Sequence, residues 1–157
     1  MPLTSGLRSF RHAPDYVARA RQAIKEMYRQ VGDLVIDESG LARKGLIVRH
    51  LILPNGLASS EESLTWLVRE LSPTVTVSIM SQYMPMHRAS RIPLLSRKIT
   101  TDEHETVLKL LTDLGIENGW VQEIGAAEEY LPDFEREGHP FSPANSRDTI
   151  PIRPTTN

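Results

Sequence analysis

The pattern of apolar and polar positions divides the chain into alternating elements. From Tyr16 to Val31, apolar residues (Tyr16, Val17, Ala20, Ala23, Ile24, Met27, Tyr28, Val31) recur every three or four positions, with Arg19, Arg21, Gln22, Lys25 and Glu26 between them. That spacing predicts a helix with one apolar face, opened by Pro14-Asp15 and stopped at Gly32. Asp37-Glu38-Ser39-Gly40 is turn chemistry. Residues 46–53 (LIVRHLIL) are almost continuously apolar between Gly45 and Pro54-Asn55-Gly56. They predict a strand covered on both faces, as in a parallel α/β sheet. Ser59 or Ser60 with Glu61 and Glu62 then starts a second helix, whose apolar face is Leu64, Leu67, Val68 and Leu71 and which ends at Ser72-Pro73. A second strand is expected at 75–81 (VTVSIMS), and residues 85–98 are irregular and rich in Pro, Met and Arg. Thr100 or Thr101 caps a third helix running through Val107, Leu108, Leu110, Leu111 and Leu114 to Gly115, and Trp120-Val121-Gln122 is a short third strand.

The order helix, strand, helix, strand, helix, short strand gives the class α/β, with connections long enough for right-handed crossovers. Two full strands and one short one make only part of a sheet, and a closed (β/α)₈ barrel takes about 250 residues. The expected architecture is a partial parallel (β/α) barrel over 14–122, part of something larger. Residues 1–13 form a loose lead-in. Residues 123–157 form an acidic, Pro-rich extension whose last fifteen or so residues are expected to be disordered.

Composition narrows the function classes. The chain has 157 residues, 39% hydrophobic and 24% charged, an ordinary soluble balance. No apolar run approaches the ~18 residues needed to span a bilayer, and no leader pattern precedes the first helix, so the expected compartment is the cytoplasm. Charge is uneven: residues 1–50 hold nine Lys or Arg against five Asp or Glu, and residues 101–157 hold four against twelve. The arginines do not cluster as a stripe and aromatics are only 6%. Nucleic acid is therefore an unlikely partner. There is no cysteine at all, which removes disulfides, thiolate catalysis and a protein-held iron–sulfur cluster.

Candidate chemistry is sparse. Arg49 and His50 interrupt an apolar strand, and alternation sends them to opposite faces. An always-charged guanidinium there calls for a carboxylate or phosphate-like partner, either a structural ion pair or an anionic ligand group. His50 reads more plainly as a hydrogen-bonded core histidine than as a ligand. Ser81-Gln82-Tyr83 stands where the second strand ends, the end at which parallel α/β folds gather ligands. Met80, Met84 and Met86 read as gap fillers rather than a copper site. His104 is flanked by Glu103 and Glu105, but adjacent helical positions diverge and make no metal site. No phosphate-binding glycine loop, HExxH or GxSxG motif is present.

Three strings carry a resemblance: AIKEMYRQVGDLVIDESGLARKGLIVRHLILPNG (Ala23 to Gly56), LSPTVTVSIMSQYMP (Leu71 to Pro85) and YLPDFEREGHPF (Tyr130 to Phe141). Over about residues 14–141 the chain resembles the C-terminal half of radical S-adenosylmethionine proteins similar to pyruvate formate-lyase activating enzyme. The resemblance implies a partial (β/α)₆ barrel. In that family a 4Fe–4S cluster on a CxxxCxxC loop cleaves S-adenosylmethionine to a 5′-deoxyadenosyl radical. It implies cofactor contacts by Arg49, Gln82, Tyr83 and His50, with Arg49 toward the methionyl or ribose side. The position after Tyr83, often His or Arg in relatives, is Met84 here. With no cluster thiolates, the chain is expected to be a fragment or one half of a split enzyme, inactive alone, with a separate N-terminal half or a protein substrate as partner. The alternative is a non-catalytic module binding a partner through an open sheet edge.

Overall fold

The computed structural model of the chain describes residues 15–125 and 149–152. Its regular elements run α1 (Tyr16–Val31), β1 (Val35–Ile36), β2 (Ala42–Lys44), β3 (Ile47–Leu51), α2 (Ser60–Glu70), β4 (Thr76–Met80), α3 (Thr101–Asp113), β5 (Gly119–Gln122) and β6 (Thr149–Pro151). Short 3₁₀ turns follow β3 at Pro54–Gly56 and β4 at His87–Arg91. The expected lead-in at 1–13, the string Tyr130–Phe141 and most of the acidic extension lie outside the described residues.

Helix boundaries follow local chemistry. Gly32 takes a positive φ of 68° and its N–H donates to the Tyr28 carbonyl, closing α1. Thr100 begins α3 with a full capping box, its hydroxyl accepting from Glu103 N–H while the Glu103 carboxylate accepts from Thr100 N–H. Ser59, at the start of α2, is left-handed and caps nothing with its side chain.

The main sheet has the order β3-β4-β5-β6; β3, β4 and β5 are parallel and β6 is antiparallel to β5. Val48 pairs with Val77, His50 with Ile79, and Ile79 with Val121, so these residues share one face. On that face Val77 and Ile79, fully buried, meet Leu64 and Leu67 of α2 and Val107 and Leu111 of α3. Each of those large side chains contributes roughly 1.5–3 kcal/mol through burial. Helix α1 packs Ile24 against this core and joins α2 through Arg21–Glu62 and Lys25–Glu70, with Arg21 stacked 5.3 Å over the Trp66 ring. β1 and β2 form a separate antiparallel ribbon.

One expectation holds in its coarser form, the α/β class, and one needs correction. The described residues form a mixed α/β unit with a mostly parallel four-stranded sheet and no closed barrel. The strand at 46–53 is also shorter, Ile47–Leu51, and is not covered on both faces: Ile47 is 38% exposed and Arg49 is exposed. The reason is position. Among the described residues β3 is an edge strand of the sheet, where a run of β-branched residues reads in sequence like a central strand. No helix among the described residues is long and apolar enough to cross a membrane.

Candidate functional site

The parallel strands bring their C-terminal ends together, and polar side chains collect there. Ser81, just past β4, is buried; its N–H donates to Gln122 Oε1 at 3.2 Å and its hydroxyl to the Glu123 carbonyl at 2.6 Å. Gln122, also buried, donates through Nε2 to Gln82 Oε1 at 3.3 Å. Its carbonyl accepts from His104 Nε2 at 2.9 Å, which fixes the proton on that ring nitrogen. Tyr83 donates its hydroxyl to the Leu95 carbonyl at 2.8 Å, and burial pushes its phenol pKa up.

A second cluster clamps the loop after β4 to the turn after β3. Arg97 makes a two-pronged pair with Glu103, both contacts 2.8 Å, and also donates to Asn55 Oδ1 at 3.0 Å. Glu103 accepts from the Asn55 N–H, and Asn55 Nδ2 donates to the Leu94 carbonyl at 2.7 Å. Asn55 is left-handed, a conformation Asn tolerates better than most residues. Arg97, followed by the amide donors of Thr100 and Asn55, holds the Glu103 carboxyl at about 2, far below its ordinary value. The clamp is acidic and basic in equal measure and leaves Glu103 ionised.

The predicted site residues are partly assembled. Gln82 and Tyr83 stand together after β4, as expected. Arg49 and His50 are separated by the sheet. His50 turns toward the helices, where Nε2 shares a 2.8 Å hydrogen bond with the Ser60 hydroxyl and burial lowers its pKa. Arg49 lies on the opposite face, exposed, and has no ion pair among the described residues. No group of three or more His, Asp or Glu side chains among the described residues is placed to hold a metal ion. Sequence reasoning missed Gln122, Asn55, Arg97 and Glu103. For Glu103 a signal existed, the Thr100-x-x-Glu103 spacing; Gln122, a polar residue ending a short apolar strand, gave none.

No family model matches the chain. It is 32% identical over 65 residues to an uncharacterized protein of Methanocaldococcus jannaschii, a match covering 41% of this chain and 19% of that protein. The chain thus matches about a fifth of that relative's length. No solved structure matches.

Proposed function

We propose that this chain supplies late strands of a (β/α) barrel to a radical S-adenosylmethionine enzyme similar to pyruvate formate-lyase activating enzyme, and that it has no activity without the cluster-bearing strands. The observation that carries this reading is the sheet's one-sided edge. Parallel strands β3, β4 and β5 follow one another in chain order, β6 occupies the far edge, and among the described residues no strand pairs with the outer side of β3. Earlier strands of a barrel would add at that edge. Arg49, on the face away from the helices, offers a fork for a carboxylate, and Gln82 a polar edge for a ligand's ribose or base.

The iron–sulfur cluster does not fit this chain by itself. It needs thiolates, and the 157 residues contain none. Cluster ligands would have to come from other polypeptide. His50, spent on Ser60 across the sheet from Arg49, is better suited to shaping the strand end than to touching the same ligand.

The runner-up reading is a non-catalytic module that binds a partner strand along the β3 edge. Anaerobic reconstitution with iron and sulfide separates the two. The chain alone should show no cluster absorbance. Mixed with a polypeptide carrying a CxxxCxxC loop and the earlier barrel strands, it should yield 5′-deoxyadenosine from S-adenosylmethionine, and Arg49→Ala should lower that yield. A cofactor-competent cluster on the chain alone overturns the proposal. Complex formation without cofactor cleavage favours the module.

A further inference from the structure

The segment after β4 has a charge pattern that the barrel reading does not use. Between Glu70 and Asp102 the chain contains no Asp or Glu, yet it holds Arg88, Arg91, Arg97 and Lys98. Arg97 is neutralised by Glu103. Arg88 and Arg91 are exposed and form no ion pair among the described residues. Both lie on the 3₁₀ turn His87–Arg91. In such a turn residues three apart eclipse, so Arg88 and Arg91 stand on the same side of it. On either flank Met86 and Leu94 are 56% and 46% exposed.

The backbone beneath this patch is fixed. Ala89 N–H donates to the Met86 carbonyl, Ile92 N–H to Ala89, and Leu95 N–H to Ile92, while the Ser90 hydroxyl donates to the His87 carbonyl. Asn55 holds the Leu94 carbonyl from the neighbouring turn. A surface ordered in advance loses little entropy on binding.

We propose that Met86 to Leu94 is a docking surface for an acidic, partly apolar segment of a partner protein. Paired cations call for carboxylates, and two exposed apolar side chains flanking them call for apolar side chains on the partner. Nucleic acid fits less well, because residues 84–98 contain no Phe, Tyr or Trp to stack on bases, and phosphates would leave Met86 and Leu94 in water. The proposal does not depend on cluster chemistry, so a failed reconstitution leaves it intact.

The test is fluorescence anisotropy on the full chain with a short labelled peptide of alternating Glu and Leu. A glutamate-only peptide and an oligothymidylate of equal length serve as competitors. The Glu/Leu peptide should bind best, weakening about tenfold in the Arg88→Gln/Arg91→Gln variant and at high salt. Met86→Ser/Leu94→Ser should weaken it about fivefold through lost apolar contact. In case a variant misfolds, chemical-shift changes on the wild-type chain provide a second measurement and should centre on residues 86–94. Unchanged binding in the arginine variant overturns the proposal. Equal binding of the glutamate-only peptide, tighter binding of the oligothymidylate, or shifts centred elsewhere would do the same.

Discussion

At the scale of single residues, the best-defined interaction is Glu103 with Arg97. The Glu103 side chain is 22% exposed and Arg97 41%, so water screens the pair only in part. The carboxyl titrates at about 2 instead of 4.5, so the folded chain binds that proton more weakly than the unfolded chain. Stability from this group is therefore complete above about pH 4.5 and disappears as pH falls toward 2. After discounting for exposure it amounts to about 1–2 kcal/mol. Glu103→Gln should lower the unfolding free energy by that amount at pH 7 and by almost nothing near pH 2. Urea denaturation of both proteins at the two pH values measures the difference, and a gap independent of pH would show that the carboxylate charge is not what matters. His50 works in the same direction over a higher range. Its pKa is depressed by burial, so the unfolded chain takes up the proton first and stability declines as pH falls below about 6.5. His50→Gln should flatten that decline between pH 7 and 5. Alternation along the strand made the opposite placement of Arg49 and His50 readable from sequence, whereas the Ser60 partner of His50 was not, because it stands ten positions on, beyond the turn that joins β3 to α2.

At the scale of elements, the three helices and three parallel strands were legible because each has its own period and its own punctuation. Pro, Gly and capping Thr sit within a residue or two of the observed ends. Elements held mainly by their neighbours were not legible. The β1–β2 ribbon pairs Val35-Ile36 with Ala42-Arg43-Lys44, too short and too polar to announce a strand. β6 consists of Thr149, Ile150 and Pro151 within the tail expected to be disordered, and its Pro reads as a strand breaker until it is placed at a sheet edge. Gly119 shows how one residue can decide an element. Its φ is 133°, and a Cβ there would sit 1.8 Å from the Val77 carbonyl oxygen. The β4–β5 pairing depends on that close approach. Gly119→Ala should therefore cost roughly 2–4 kcal/mol, from strained backbone plus displaced pairing. Gly40, at φ 78° with nothing within 4 Å of the same added atom, is the natural comparison. Gly40→Ala carries the backbone penalty alone, about 1–2 kcal/mol. Urea midpoints of the two variants should fall in that order, and equal losses would mean that the Val77 contact relaxes freely.

At the scale of the whole molecule, the asymmetry of the sheet's two edges governs association. One edge is β6, only three residues long and ending in Pro151, which blunts it for further pairing. The other is β3, and its hydrogen bonding can be read residue by residue. Ile52 N–H donates to the Met80 carbonyl, so Val48, His50 and Ile52 direct their backbone groups toward β4. By alternation Ile47, Arg49 and Leu51 direct theirs outward. An edge of that kind is a template for another strand, whether from a companion polypeptide or from a second copy of this chain. With one long edge and one short, Pro-blunted edge, two copies joining through β3 form a closed pair whose outer edges are only the short β6 strands. The isolated chain should therefore dimerise with rising concentration rather than polymerise. Amides of Arg49 and Leu51 should exchange fast in the monomer and slow in the pair, while His50 and Ile52 stay protected throughout. Arg49→Pro separates edge pairing from folding. The lost N–H faces outward, so the β4 ladder keeps its bonds, while the edge loses a donor and gains a ring that blocks an approaching strand. The variant should keep the circular dichroism of the parent and sediment as a monomer at concentrations where the parent pairs. A parent chain that stays monomeric with slow exchange at Arg49 and Leu51 would mean that the β3 edge is already satisfied. The sheet would then have no place to receive the strands on which the proposed function depends.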